Sequence, residues 1–209
     1  MRLEGTLVLL EPLALSHVRA LVDAASESRD TYGFADVPDG PQEMAAYVQS
    51  ALETPAVVPF AIVSQRRAVG TTRFLRMEHW SRLDDRPPDV PHVADIGWTW
   101  LAASAQRTGV NTEAKFLMLR HAFETWRVFR VATKVDAPNE RSRRAVESLG
   151  AKLDGIRRAE RLGEDGTVRD CAWYSIVQDE WPAVKARLEA RLPEAVAGIG
   201  RIGVGIQRR

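Results

Sequence analysis

Cysteine is almost missing from this chain, with Cys171 the single one in 209 residues. One thiol cannot close an internal disulfide, so a disulfide-stapled scaffold is excluded and a reducing, cytoplasmic setting is the expectation. Long apolar runs are missing too. No stretch approaches the roughly 18 uncharged apolar residues that a membrane helix needs, so no membrane span is expected. The first residues, Met1-Arg2-Leu3-Glu4-Gly5, carry an early acid and do not read as a signal peptide. Charge of one sign is not in excess: 29 basic and 28 acidic residues leave a formal net charge of +1. That excludes a whole-surface attraction to nucleic acid or membrane. His17, His79, His92 and His121 lack metal-ligand spacing, so no metal site is expected.

What is present suits a packed core: 45% of residues are hydrophobic and 27% charged. Residues 1–192 read as a single domain, and 193–209 as a flexible, Gly-rich basic tail. Leu3–Leu10 reads as a strand, and Leu13–Ala25 and Pro41–Leu52 as amphipathic helices. Between the helices lies a loop, Thr31–Gly40. Phe60–Val63 and Val69–Met77 form a hairpin pattern, followed by a polar loop over Glu78–His92. Val93–Leu101 is a strand in which Ile96, Trp98 and Trp100 alternate with Asp95, Gly97 and Thr99. Thr112–Trp126 carries the strongest helical pattern, with Glu113, Arg120, Glu124 and Arg127 on its polar face. Then come a strand Arg130–Val135, a short helix Glu140–Ser148 capped by Asn139, a hairpin of Gly155–Leu162 and Asp170–Val177, and a helix Glu180–Leu192. The order is that of an α/β fold, antiparallel in its first half, with a strand-helix-strand unit in the middle.

The run Gln106-Arg107-Thr108-Gly109-Val110-Asn111-Thr112 follows a strand and opens the best helix. The first N–H groups of a helix have no partner within it, and the helix dipole makes that end partly positive. A glycine there lets the backbone approach a ligand, successive N–H groups can cup phosphate oxygens, and Arg107 can add a charged contact. On spacing alone, an ordinary loop before a helix is the commoner reading.

Set beside Ile96-Gly97-Trp98-Thr99-Trp100-Leu101 and Thr112-Glu113-Ala114-Lys115, that run resembles the acetyl-CoA motif of the GNAT acetyltransferase superfamily. The likeness is greatest to the RimJ/RimL-like branch of ribosomal-protein N-acetyltransferases. Asn139-Glu140-Arg141-Ser142 and Asp179-Glu180-Trp181 are similar to that branch as well, so the resemblance covers about residues 3–185. Asn111 stands where the superfamily usually has a last small residue. The resemblance implies a mixed, mostly antiparallel twisted sheet, splayed at its centre between the strand ending near Leu101 and the strand Arg130–Val135, with flanking helices. Acetyl-CoA would lie in the gap as co-substrate, held by Trp100, Leu101, Gln106, Arg107, Thr108, Gly109, Val110, Asn111, Thr112, Asn139 and Ser142. Dimers are common in the branch.

Acetylation of an amine needs a neutral amine, a polarised thioester and a proton for the leaving thiolate. The resemblance implies that Ser142 serves the thiolate, and a first-turn helix residue bonding locally is the plain alternative. Asp95 lies where relatives carry a proton acceptor, with a strand-edge ion pair as the alternative. Arg141, Arg143 and Arg144 are either a solvated face or phosphate contacts. Tyr174 reads as core or substrate wall, and Trp80 as a wall of an acceptor pocket. Cys171 has no histidine near it in sequence, which argues against an acyl-enzyme. The function expected is N-acetyl transfer from acetyl-CoA to a primary amine, of a peptide N-terminus or a small molecule, by direct attack. The alternative is a CoA-binding sensor or interaction module without catalysis.

Overall fold

The computed structural model describes residues 1–80, 87–163 and 166–192. The tail expected to be flexible, the centre of the polar loop and two residues of the last turn lie outside the described residues. The elements are β1 (Leu3–Glu4), β2 (Leu9–Pro12), α1 (Val18–Ser26), α2 (Gly40–Glu53), β3 (Val58–Ser64), β4 (Arg67–Glu78), β5 (Val93–Leu101), α3 (Val110–Arg120), β6 (Arg130–Asp136), α4 (Glu140–Ser148), β7 (Lys152–Leu162), β8 (Val168–Val177) and α5 (Trp181–Glu189). They build one eight-stranded sheet of order β1-β2-β3-β4-β5-β6-β8-β7. Neighbours pair antiparallel except β5 and β6, which are parallel and joined through α3. The mixed, mostly antiparallel sheet with flanking helices is thus the expected fold class.

The apolar stripe of α3 forms the centre of the core. Ala114, Phe116, Leu117, Met118 and Leu119 are all buried. Trp181 of α5 packs against Phe116 and Phe123, with ring centroids 6.2 and 5.2 Å apart. After Arg120 the helix widens into a π-helical turn, His121–Trp126, and Arg127 ends it in the left-handed conformation. No described helix is long and apolar enough to cross a membrane.

Three departures from the sequence reading have clear physical causes. The strand expected over Leu3–Leu10 is a hairpin, because the Gly5 N–H bonds the Val8 carbonyl and turns the chain. Glu113, placed by periodicity on a polar face, is fully buried. Its carboxylate accepts N–H bonds from Thr6, Leu7 and Val8 at 2.9, 2.7 and 2.7 Å, which pins that turn to the first turn of α3. On β5 the regular alternation breaks. Gly97 pairs Arg73 while Trp100 pairs Thr71, so one extra residue bulges out, and Trp98 takes φ +50°. Trp98 is consequently 54% exposed, whereas Ile96 and Trp100 are buried.

Candidate active site

Pairing between β5 and β6 stops early. Val93, Ala94 and Asp95 face Arg130, Val131 and Ala132, and beyond that point the two strands part. From Ile96 to Leu101 the β6-facing edge of β5 has no strand beside it among the described residues, so its backbone groups are available to an extended ligand. The space that opens is a cleft of about 1050 Å³. That is at the upper end of ordinary small-molecule sites and suits a long ligand together with a second one. Its walls are β5 from Asp95 to Leu101 and β6 from Thr133 to Asp136. Gly70 keeps β4 close to this wall: a Cβ there would run into the Trp100 carbonyl.

One end of the cleft is the start of α3. The first helical bond runs from the Glu113 N–H to the Gly109 carbonyl, so the N–H groups of Asn111 and Thr112 precede it and have no helical acceptor. The loop is held by its own side chains. Gln106 donates to the Leu101 carbonyl and to Thr31 Oγ1, both at 3.0 Å. The Thr108 hydroxyl bonds the Ala105 carbonyl at 2.6 Å and accepts from the Val110 N–H at 3.3 Å. Arg107 turns the chain at φ +59° and lines the cleft. Gly109 lines the cleft with an ordinary φ of −60°, and a Cβ on it would meet Leu7 Cδ1 at 2.7 Å. That atom is the tip of a flexible side chain, so the β1–β2 turn packs over this glycine without requiring it.

Of the expected contact residues, Trp100, Leu101, Gln106, Arg107, Thr108, Gly109, Asn111, Thr112, Asn139 and Ser142 all line the cleft. Val110 does not, since its side chain is 6% exposed and joins the core. Asn111 Oδ1 is buried without a hydrogen-bond partner. Such an orphan on the wall leaves room for an amide of a bound ligand, or for a phosphate oxygen if the amide turns over. Asn139 caps α4 by accepting the Ser142 N–H at 3.1 Å. Ser142 itself lines the cleft, and its hydroxyl has no partner among the described residues. Arg141 lines the cleft and donates to the Thr31 carbonyl. Arg143 instead bonds Tyr174 and the Ala137 carbonyl, and Arg144 pairs with Glu140 at the surface.

Acids and aromatic rings line the cleft as well. Asp95 lies on the wall with a 2.7 Å ion pair to Arg76. Burial raises its pKa above the ordinary aspartate value, against the pull of the half-exposed Arg76. Asp136 is bonded by Arg161 and Arg169, which hold it ionised even though burial works the other way. Cys171 is buried beside it, and burial pushes its thiol pKa up, so it is a poor nucleophile. Arg73, 6% exposed, sits with its guanidinium 4.5 and 4.8 Å from the ring centres of Tyr47 and Trp98. Tyr174 is fully buried and donates to Glu147, so it belongs to the core. Trp80 is not a wall of this cleft: it stacks on His92 and Phe129.

The sequence reading missed Lys115. The lysine is 9% exposed and lines the cleft from α3. Its Nζ donates to Thr72 Oγ1 at 2.9 Å and to Thr99 Oγ1 at 2.5 Å. No carboxylate pairs with it among the described residues, and desolvation lowers its pKa from 10.5 to about 7. The available signal was a lone charge inside the apolar stripe from Ala114 to Leu119.

A split sheet beside an open helix start has counterparts among known proteins. The model of the Acetyltransferase (GNAT) domain matches residues 8–152. The chain belongs to the GNAT acetyltransferase family. It is 33% identical over 96 residues to YdaF of Bacillus subtilis, which is named a candidate ribosomal N-acetyltransferase. That alignment covers 46% of this chain and 51% of YdaF, so the chain spans about half the length of that curated relative. A crystal structure of a candidate acetyltransferase from T. thermophilus matches at 38% identity, with a TM-score of 0.77 and coverage of 92% of this chain and 97% of that one. A GCN5-related N-acetyltransferase from Brucella melitensis matches at 29% identity, with a TM-score of 0.80 and coverage of 93% and 86%.

Proposed function

We propose that residues 1–192 act as a single N-acetyltransferase domain of the RimJ/RimL-like branch, moving an acetyl group from acetyl-CoA to a primary amine. The acceptor is an amine of a peptide N-terminus or of a small molecule, and the setting is cytoplasmic. The observation that carries the reading is the parting of β5 and β6 beside the α3 N-terminus, with Ser142 and Asp95 both on the cleft wall. Acetyl-CoA fits the residues present. Its pyrophosphate suits the N–H groups of Asn111 and Thr112 with Arg107 and Arg141 nearby, and its pantetheine arm suits the unpaired edge of β5 and the Asn111 amide.

The reaction is direct attack in a ternary complex. The acceptor nitrogen bonds the thioester carbonyl carbon, and the amine proton passes to Asp95 through water. Burial has made Asp95 a better proton acceptor than a surface aspartate. The carbon–sulfur bond then breaks, and the Ser142 hydroxyl donates to the leaving thiolate, which ends as the free thiol of CoA. The proton held by Asp95 then passes through water to Ser142, which restores both side chains, and because the amine attacks the acyl carbon directly no bond to the enzyme forms.

Release of CoA thiol with a panel of peptides and small amines tests this. Amine-dependent release is expected, with a loss of tenfold or more, about 1.4 kcal/mol, in Ser142→Ala and in Asp95→Ala. Tight acetyl-CoA binding without turnover of any amine would instead favour the sensor reading.

A further inference from the structure

The proposed reaction has a proton acceptor for the amine and a donor for the sulfur, but no side chain assigned to the thioester oxygen. That oxygen gains negative charge as the amine attacks, and a fixed donor aimed at it is where acyl-transfer enzymes gain most. Lys115 is placed for this role. It reaches the cleft from α3 and is anchored at both sides of the β5 bulge: Thr99 belongs to the bulge itself, and Thr72 lies opposite on β4. The two hydroxyls also bond each other at 2.8 Å, so the three groups form a closed triangle.

Hydrogen counting gives the consequence. An ammonium has three N–H groups, and the two threonine oxygens take two of them. The third has no acceptor among the described residues, and no carboxylate balances the charge. Burial without a counter-charge destabilises such an ammonium, and that lowers its pKa to about 7. An oxygen that becomes anionic during reaction has the chemistry of that missing acceptor, and a donor held ready for it would favour the transition state over the resting thioester.

We propose that Lys115 is a catalytic residue whose ammonium donates a hydrogen bond to the thioester carbonyl oxygen, held in position by Thr72 and Thr99. This rests on the acetyl-transfer reading. No bond to Lys115 forms or breaks; it polarises the carbonyl and stabilises the tetrahedral oxyanion.

The test uses acetyl-CoA labelled with ¹³C at the acetyl carbonyl, on the full chain, with wild type, Lys115→Met and Thr99→Val. Methionine keeps the length and burial of the side chain, and affinity for CoA together with thermal unfolding reports whether each variant is folded. The expected result is a bound carbonyl resonance downfield of free acetyl-CoA in wild type. Lys115→Met should bring it back toward the free value, with CoA affinity within about threefold of wild type and a loss of transfer of roughly a hundredfold. Thr99→Val should give an intermediate shift. The same carbonyl resonance in wild type and in folded Lys115→Met overturns the role of Lys115 while leaving acetyl-CoA binding intact. Failure of wild type to bind acetyl-CoA overturns the acetyl-transfer reading, and this inference with it.

Discussion

Lys115 shows how one buried charge ties stability to pH. Its folded pKa is about 7, against 10.5 for an ordinary lysine. Between those values the unfolded chain holds a proton that the folded chain lacks, so stability rises with pH across that window. Below about pH 7 the penalty of burying the charge is complete, and the shift bounds it at roughly 5 kcal/mol. Thr72 of β4 and Thr99 of β5 face the amine, and neither titrates here. Lys115→Met should therefore be more stable than wild type at pH 6, by roughly 2 kcal/mol once the lost hydroxyl contacts are counted. The advantage should shrink as pH approaches 10. Urea unfolding of both proteins at pH 6, 8 and 10 checks the sign and the trend. The sequence made Ser142, Asn139 and Asp95 legible as candidates because they stand in a recognisable motif context. It hid Lys115 because a lysine within a helix reads as a solvated side chain until the facing strands are known.

At the scale of elements, α3 depends on a contact far away in sequence. Glu113 accepts three backbone N–H bonds from the β1–β2 turn, and that turn packs Leu7 against Gly109 at the helix start. Glu113→Ala would leave those N–H groups without their acceptor, and bonds to a charged group are worth about 1.5–3 kcal/mol each. A loss of about 3 kcal/mol or more is expected in denaturant unfolding, together with a raised KM for acetyl-CoA as the loop 106–112 loosens. Element type was readable along most of the chain, since α3, β5 and β6 follow strong apolar patterns. The β1–β2 turn escaped because Gly5-Thr6-Leu7-Val8 continues the look of a strand. The bulge at Trp98 escaped because nothing in its own residues announces φ +50°, while the tertiary contacts with Arg73 and Tyr47 reward it. Glu113 escaped because its spacing aligns it with Arg120, Glu124 and Arg127.

For the whole molecule, a near-neutral chain holds a cleft whose acids are matched by bases: Asp95 pairs with Arg76, and Asp36 and Asp136 with Arg161, all on its wall. Arg107 and Arg141 also line the cleft, and neither pairs with a carboxylate among the described residues. A ligand bearing several phosphates suits those two. Arg107→Ala and Arg141→Ala should each weaken acetyl-CoA binding by roughly fivefold at low salt and flatten its salt dependence, as titrations at about 50 and 300 mM salt would show. The central claim is that acetyl-CoA occupies the gap where β5 leaves β6 and meets the start of α3. Amide hydrogen exchange with and without acetyl-CoA tests it most directly. The account predicts slowed exchange concentrated in residues 96–101 and 106–112, with α1 and β3 unchanged. Protection confined to other segments, or none at saturating acetyl-CoA, would contradict it.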